Sequence, residues 1–362
     1  MPSSLEDQHA SLEDQHDKIY GASFSAYDQA SMDEFVSFLA QRFEANNINP
    51  SDQFKGKRCL DAGCGNGRGA LFMAAHGATH VDCVDISSSN VSTTETNLQA
   101  QGAAPFTVIQ NSLESLPFPD ETFDFVWCNG VLMHTANPDA CLTELARVLK
   151  IGGRCWVYVY GADGLGWYWV STARSAIRDF GPEICLKALN LMRLEARYVA
   201  EYIDDWTVPY LRTYSARTFS RRLEDAGFIG ASPLKYGVGY DTSHRRSLFP
   251  EDSVWMGEGD LRFLLTKASG PKPIRDPLGS ESENFEEPFN PAIVQRFETL
   301  FDAYRQAVKD DIVLAVATSA SIQRSLRDFL SEEGRFDVEE FHQRASEAIS
   351  LARDIRHSAK SG

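Results

Sequence analysis

The sequence predicts an α/β fold, a mostly parallel sheet with helices on both faces, followed by helical additions. Three observations predict it. Short apolar runs alternate with helical stretches from Lys57 to Gly161, the rhythm of a parallel sheet covered on both sides. A glycine-rich turn inside "LDAGCGNGRGALFMA" (Leu60–Ala74) joins the first run to the first helix. After Gly161 the alternation gives way to aromatic-rich helical stretches, and two late apolar runs bring the predicted strands to seven.

Taken in order, residues 1–50 read as an N-terminal tail and a cap helix. "SLEDQH" occurs at Ser4–His9 and again at Ser11–His16, and so polar a stretch predicts a mobile or weakly helical tail. "SMDEFVSFLAQRF" then places Phe35, Phe38, Leu39 and Phe43 on one helical face. Residues 51–161 form a ligand-binding core. Its strands are "KRCLDA", "HVDCVD" (His80–Asp85), "PFTVIQ", "FDFVWC" (Phe123–Cys128) and "RCWVYVYG" (Arg154–Gly161). Its helices are Gly67–His76, Ser88–Gln101 and Pro138–Lys150, the last opened by Asn137 and Pro138 and closed by Gly152 and Gly153. Residues 162–216 form a helical aromatic insert, and 217–268 complete the core with a helix ending at Gly227, a strand "ASPLKYGV" and a strand "DLRFLLTKA". Pro, Gly, Ser and Glu make 269–290 a linker. Residues 291–362 read as three helices, with one apolar stripe of Ile293, Val294, Phe297, Leu300, Phe301 and Tyr304 and another of Phe341, Ala345, Ala348, Ile349 and Ala352.

The glycine turn has two readings. Gly65, Gly67 and Ala70 fit the dinucleotide pattern G-x-G-x-x-G/A, while Asp61, Gly63, Gly65 and Gly67 form D-x-G-x-G-x-G. Asp85, at the end of the second strand, suits the two hydroxyls of a ribose under either reading. Asp61 separates them: a carboxylate there repels a pyrophosphate and suits a cationic amino group.

Further along stand "NSLESLPFPDETFDFVWCNGVLMHT" and "ELARVLKIGGR". With the glycine turn, these motifs resemble the class I S-adenosylmethionine-dependent methyltransferases, strongly over about Lys57 to Gly161 and more weakly to Ala268. The resemblance implies a Rossmann-like seven-stranded sheet and S-adenosyl-L-methionine as cofactor, with S-adenosyl-L-homocysteine as product. It implies that Asp61, Gly63, Cys64, Gly65 and Gly67 cradle the methionine part, Asp61 near the amino group. Asp85 would bind the ribose hydroxyls, Ile86 would pack on the adenine, and Asn111, Ser112 and Leu113 would face the adenine edge. Asn129 and Gly130 would lie beside the methionine chain. Two positions depart from the family wording: Ile151 stands where Pro is usual, and Asn111 where many relatives carry Asp, which leaves the adenine-amine contact there open.

For the chemistry, His134 is the candidate catalytic residue, as a base or as an orienting contact. The insert is a candidate acceptor lid or simply a helical subdomain with an aromatic core. Candidate acceptor contacts are Trp167, Trp169, Tyr210, Arg212 and Tyr214, with Tyr20 and Tyr27 ahead of the first helix. His76 and His80 are separated by Gly77, which ends the helix between them, so no metal site is expected. An NAD(P)-dependent oxidoreductase remains the alternative enzyme, and a cofactor-binding scaffold without turnover the alternative outside catalysis.

Composition narrows the partners. The 362 residues are 43% hydrophobic and 24% charged, with a net charge of −16. That balance disfavours nucleic acid, whose non-specific binding rests on Lys and Arg, and favours a small-molecule acceptor. Seven scattered cysteines without a C-x-x-C pair fit a reducing, cytoplasmic setting. No stretch reads as a secretory signal or a membrane span. The C-terminal helices either pair subunits into a homo-oligomer or cover their own core.

Overall fold

The computed structural model describes residues 17–20, 29–102, 105–194, 196–237, 241, 255, 257–270, 291–331 and 338–361. In chain order they form α1 (Gln29–Ala45), α2 (Pro50–Phe54), β1 (Arg58–Ala62), α3 (Arg68–Ala75), β2 (His80–Asp85), α4 (Ser88–Ala100), β3 (Phe106–Gln110) and β4 (Phe123–Asn129). Then follow α5 (Pro138–Val148), β5 (Leu149–Tyr160), α6 (Leu165–Ile177), α7 (Pro182–Leu191), α8 (Ala196–Thr207), α9 (Ala216–Asp225), β6 (Phe228–Ile229) and β7 (Asp260–Lys267). Three helices close the chain: α10 (Pro291–Val308), α11 (Ile312–Ser331) and α12 (Val338–Ser361). The repeated "SLEDQH" lies outside the described residues.

The chain divides into two compact units. The first comprises residues 1–162, 209–244 and 258–284 and contains the whole sheet, ordered β3-β2-β1-β4-β5-β7-β6. β1 to β5 run parallel, while β7 is antiparallel to both β5 and β6. Strand residues alternate between two faces, as the period of two requires. Cys59, Cys83, Phe125, Trp127 and Trp156 pack under α1 to α4, where Trp127 stacks on Trp156 (5.0 Å) and Trp156 on Phe43 (4.9 Å). Leu60, Val84, Val126, Cys128, Cys155 and Val157 pack under α5 and α9, against Leu142, Leu145, Phe219 and Leu223. The seven-stranded, mostly parallel expectation therefore holds.

Two elements differ from the sequence expectation. No strand forms over residues 231–237: Pro233 lacks an N–H for a ladder, the Leu234 N–H reaches the Arg262 carbonyl (2.7 Å), and Phe228–Ile229 takes the edge position instead. The helix expected to reach Lys150 ends at Val148, and β5 begins at Leu149. Between Leu149, opposite Phe123, and Arg154, opposite Phe125, the register shifts. "KIGG" is thus a bulge in a long strand, and Gly152 takes its positive φ.

The second unit comprises residues 163–208, 245–257 and 285–362. Its described elements are helical, and its core is aromatic. Trp169 is buried against Phe301 (5.4 Å) and Tyr304 (5.0 Å), and Trp255 meets Phe341 (4.6 Å). A buried polar chain runs beside them: Trp206 Nε1 donates to Gln323 Oε1 (3.0 Å), and Gln323 Nε2 donates to Asp205 Oδ2 (2.6 Å). Tyr202 stacks on Trp206 (4.9 Å). Among the described residues no helix is long and apolar enough to cross a membrane.

Candidate functional site

In an open parallel sheet, ligands bind beyond the carboxyl ends of the strands where the strand order reverses. Here that point lies between β1 and β4, and the glycine turn leaves β1 beside it. The N–H groups of Gly63 and Cys64 both donate to the Val84 carbonyl (2.8 and 3.1 Å), tying the turn to β2. Gly63 has φ +80°, and a Cβ there would stand 2.4 Å from Val131 Cγ2, so only glycine fits. The far side of the turn is held by α4: Thr94 Oγ1 donates to the Gly65 carbonyl (2.9 Å) and Asn97 Nδ2 to the Asn66 carbonyl (2.8 Å).

Two buried carboxylates flank this turn. Asp61 sits under Gly69, whose added Cβ would be 2.7 Å from Asp61 Oδ2. That oxygen has no hydrogen-bond partner among the described residues. Burial pushes the Asp61 carboxyl up to about 7, against the pull of the Ala70 N–H and with the nearby Asp85 charge adding to the rise. Asp85 is better partnered: Oδ2 accepts from the Gly65 N–H (2.9 Å), and Oδ1 from the Ser87 N–H (3.0 Å) and Asn90 Nδ2 (3.1 Å). Burial still raises its pKa, opposed by those bonds, and the charge of Asp17 contributes to the rise.

Asp17 itself sits at the head of α4. It accepts from the hydroxyls of Ser87 and Ser88 (the latter 2.8 Å) and from the Ser89 N–H (3.1 Å), the pairing that the orphan donors of a helix N-terminus call for. Burial raises its pKa, but these hydrogen bonds together bring it below the usual carboxylate value.

The remaining cofactor candidates line the same edge. Asn111 donates its N–H to the Asp85 carbonyl (2.9 Å), next to half-buried Ile86. Ser112 Oγ accepts from the Glu114 N–H (3.2 Å), and Leu113 is buried. Asn129 Oδ1 accepts from Trp156 Nε1 (2.9 Å), and the Gly130 N–H donates to the Tyr158 carbonyl (3.1 Å). Asp61, Gly63 to Gly67, Asp85, Ile86, Asn111 to Leu113, Asn129 and Gly130 are therefore gathered at the carboxyl ends of β1 to β4.

The two long motifs meet each other. Glu144 Oε2 accepts from the Leu116 N–H (2.7 Å). Arg147 donates to the carbonyls of Leu116 (3.1 Å) and Phe118 (2.8 Å), to Asp120 (2.8 Å) and to Glu144 (2.7 Å). "ELARVLK" thus clamps the "SLPFPD" segment that follows Asn111 to Leu113.

The acceptor candidates scatter. His134 is buried in a short turn after β4, with Nδ1 3.0 Å from the Tyr210 carbonyl and its ring edge-on to Tyr160 (5.6 Å). A carbonyl only accepts, so Nδ1 carries the proton. Arg212 is directed at backbone rather than at open space: it donates to the carbonyls of Thr135 (2.5 Å) and Ala136 (3.2 Å) and lies over the Tyr210 ring (4.8 Å). Tyr214 is buried on Phe219 (4.8 Å), inside the core. Trp169 lies in the interior of the helical unit, Trp167 is half-buried in that unit, and Tyr20 is half-buried in the N-terminal turn. Tyr27 lies outside the described residues. His76 and His80 bond in different directions, to the Phe72 carbonyl and to Thr107 Oγ1. Four residues that the sequence reading passed over border the edge: Asp17, Asn66, Asn90 and Tyr158. Of these, only Asn90 carries a sequence signal, its place in the first turn of a helix just after Asp85.

Fold and site together define an open α/β protein with an acid-flanked glycine turn at its switch point. Residues 60–157 match the family model of the methyltransferase domain. It is 36% identical over 99 residues to the sarcosine/dimethylglycine N-methyltransferase of Aphanothece halophytica, covering 27% of this chain and 36% of that one. It is 29% identical over 242 residues to the ubiquinone biosynthesis O-methyltransferase of Dechloromonas aromatica, covering 60% and 94%. With the ubiquinone/menaquinone biosynthesis C-methyltransferase of Xanthomonas campestris pv. campestris it shares 33% over 116 residues, covering 31% and 46%. The chain therefore spans less than half the length of the first and third of these relatives. Among solved structures, a SAM-dependent methyltransferase from Aquifex aeolicus aligns with 67% of this chain and 99% of its own, at 16% identity and a TM-score of 0.39.

Proposed function

We propose that this chain binds S-adenosylmethionine at the carboxyl edge of β1 to β4 and transfers its methyl group to a small-molecule acceptor by in-line displacement. The observation that carries the reading is the pair of buried carboxylates, Asp61 and Asp85, on either side of the glycine turn. The residues fit the cofactor. Asp61 Oδ2 is a buried acceptor without a partner, and an ammonium group satisfies it where a pyrophosphate would be repelled. Asp85, fixed by Gly65, Ser87 and Asn90, presents an oriented carboxylate for two ribose hydroxyls. Ile86 and Leu113 supply apolar surface for the adenine, and Asn129 and Gly130 flank the methionine chain.

When bound, the cofactor supplies a methyl group already activated on a sulfonium. The tasks left to the chain are orientation, exclusion of water and, for an acceptor that carries a proton, its removal. His134 is the residue we assign to that removal: the Tyr210 carbonyl holds the ring as the Nδ1–H tautomer, so the basic nitrogen is Nε2. The relatives named above are N-, O- and C-methyltransferases, so an acceptor screen spans amines, phenols and carbon acids. A cytoplasmic site of action suits an acidic chain with scattered thiols.

The test is calorimetric titration of the full chain with S-adenosylmethionine, S-adenosylhomocysteine and NAD, on wild type and Asp85→Ala. Saturable binding of both sulfur ligands, weakened by the substitution, is expected. Binding of NAD alone would overturn the reading and point to hydride transfer, and binding without turnover on any acceptor class would favour a scaffold.

A further inference from the structure

Tyr158 is not among the residues that the family motifs mark, yet it stands beside Gly130, which the proposed function puts against the methionine chain. It lies two residues before the end of β5, at the carboxyl edge. Its backbone carbonyl receives the Gly130 N–H, and a Cβ on Gly130 would be 3.5 and 3.6 Å from Cδ1 and Cε1 of the Tyr158 ring. The ring therefore runs alongside Gly130 at van der Waals distance. Its neighbours account for its electronic state. The hydroxyl donates to Asp260 Oδ1 (2.7 Å), which draws electron density into the ring. The Arg262 guanidinium covers one face at 4.5 Å. That charge is compensated: Arg262 pairs with Asp241 (3.2 Å) and Asp260 (3.5 Å), while Arg42 closes a bidentate pair on Asp241 (2.7 Å for both bonds). Among the described residues, these two arginines and two aspartates balance. Burial and the Asp260 charge hold the phenol well above its usual pKa, so it stays protonated and is no base. The residue is half-buried, and its ring lies beside Gly130.

A tyrosine ring with a carboxylate on its hydroxyl is a built acceptor for positive charge. We infer that the ring of Tyr158 recognises the sulfonium charge of S-adenosylmethionine, so that this chain holds the charged methyl donor in preference to its neutral product. The inference rests on the cofactor reading above and assigns to it a residue and a discrimination that the reading lacks. It also gives the ring a role in turnover: its attraction ends when the methyl group leaves and the charge with it, which favours release of S-adenosylhomocysteine.

The experiment measures dissociation constants for both ligands by calorimetry on the full chain, for wild type, Tyr158→Leu, Tyr158→Phe and a chain with trifluorinated phenylalanine at position 158. Loss of a partly desolvated cation–ring contact predicts that Tyr158→Leu weakens S-adenosylmethionine about 5- to 30-fold, with S-adenosylhomocysteine changing less than about twofold. Tyr158→Phe should keep most of the preference, and the fluorinated ring, equal in shape but drained of face charge, should lose it. If the fluorinated ring weakens the two ligands together, or weakens neither, the ring acts only as packing and the inference is overturned. Should Tyr158→Leu lose S-adenosylhomocysteine as well, the fluorinated ring decides, since it keeps the packing. A wild type that binds neither ligand would overturn the cofactor reading itself, and this inference with it.

Discussion

Asp61 offers a prediction in which cofactor binding and proton release are one event. Its ordinary pKa of 3.8 is raised to about 7 by burial, so without ligand the carboxyl is mostly protonated below neutrality. An ammonium group against Oδ2 requires the ionised form. The sign follows: binding releases a proton, so affinity rises with pH until the carboxyl is already ionised. With a pKa near 7, the penalty factor is about 11 at pH 6 and about 1.3 at pH 7.5. The dissociation constant should therefore fall about eightfold across that interval, or about 1.2 kcal/mol. The range stops at 7.5 because an α-amino group loses its own proton near 8. Titration at each pH in two buffers of different ionisation heat reads the release directly, at about 0.9 proton at pH 6 and about 0.25 at pH 7.5. Asp61→Asn should bind more weakly at pH 7.5 and show no slope, which separates Asp61 from Asp85. An affinity constant within twofold across the range, with heats independent of buffer, would refute the placement of an ammonium at Asp61.

Other outcomes follow from the packing. Arg147→Ala leaves the carbonyls of Leu116 and Phe118 without their donor and Glu144 without its ion pair, so chemical denaturation should show a loss of about 2–4 kcal/mol, with weaker cofactor binding from the loosened segment. Gly63→Ala forces both a positive φ and a clash with Val131; titration should show cofactor binding lost before the fold is. Trp156→Ala empties the stack between Phe43 and Trp127 and removes the donor to Asn129, for which about 3–5 kcal/mol is expected by denaturant unfolding. In the helical unit, burial raises Asp205 to about 7, with the adjacent Asp204 charge adding to the rise. The folded form thus binds more protons than the unfolded one between the ordinary value and about 7, and stability falls as pH rises through that window. Thermal unfolding should show this slope in wild type and its flattening in Asp205→Asn.

The central sheet was legible because its signals are local. Gly, Pro and Asn punctuate apolar runs of strand length, and "LDAGCGNG" announces its own turn. Asp61 and Asp85 were legible for the same reason, since each is the acid at the end of its strand. The bulge at Lys150–Gly153 was not, because two glycines after a helical run read equally as a helix end. The edge strand Phe228–Ile229 was too short to leave a periodic trace, whereas "ASPLKYGV" has strand-like residues but a proline at its centre. Side-chain destinations were the least legible. Arg212 and Tyr214 are the residue types that contact ligands, but Arg212 reaches the carbonyls of Thr135 and Ala136 and Tyr214 enters the core. Asp17 and Tyr158 derive their places from residues about 70 and 100 positions away, and no window of sequence contains both partners.

The helical unit is drawn from three separate stretches of chain, and its buried Trp169 finds Phe301 and Tyr304 roughly 130 residues later. During synthesis, the sheet that carries the candidate site has all its strands once Lys267 has emerged, while α6 waits with an uncovered indole for helices not yet made. A ribosome stalled after Lys267 and before Pro291 would therefore expose a chain with all its strands made and the last three helices of the helical unit still missing. Deleting the last seventy or so residues would leave Trp169 without Phe301 and Tyr304, so the shortened chain should aggregate more readily than the full one.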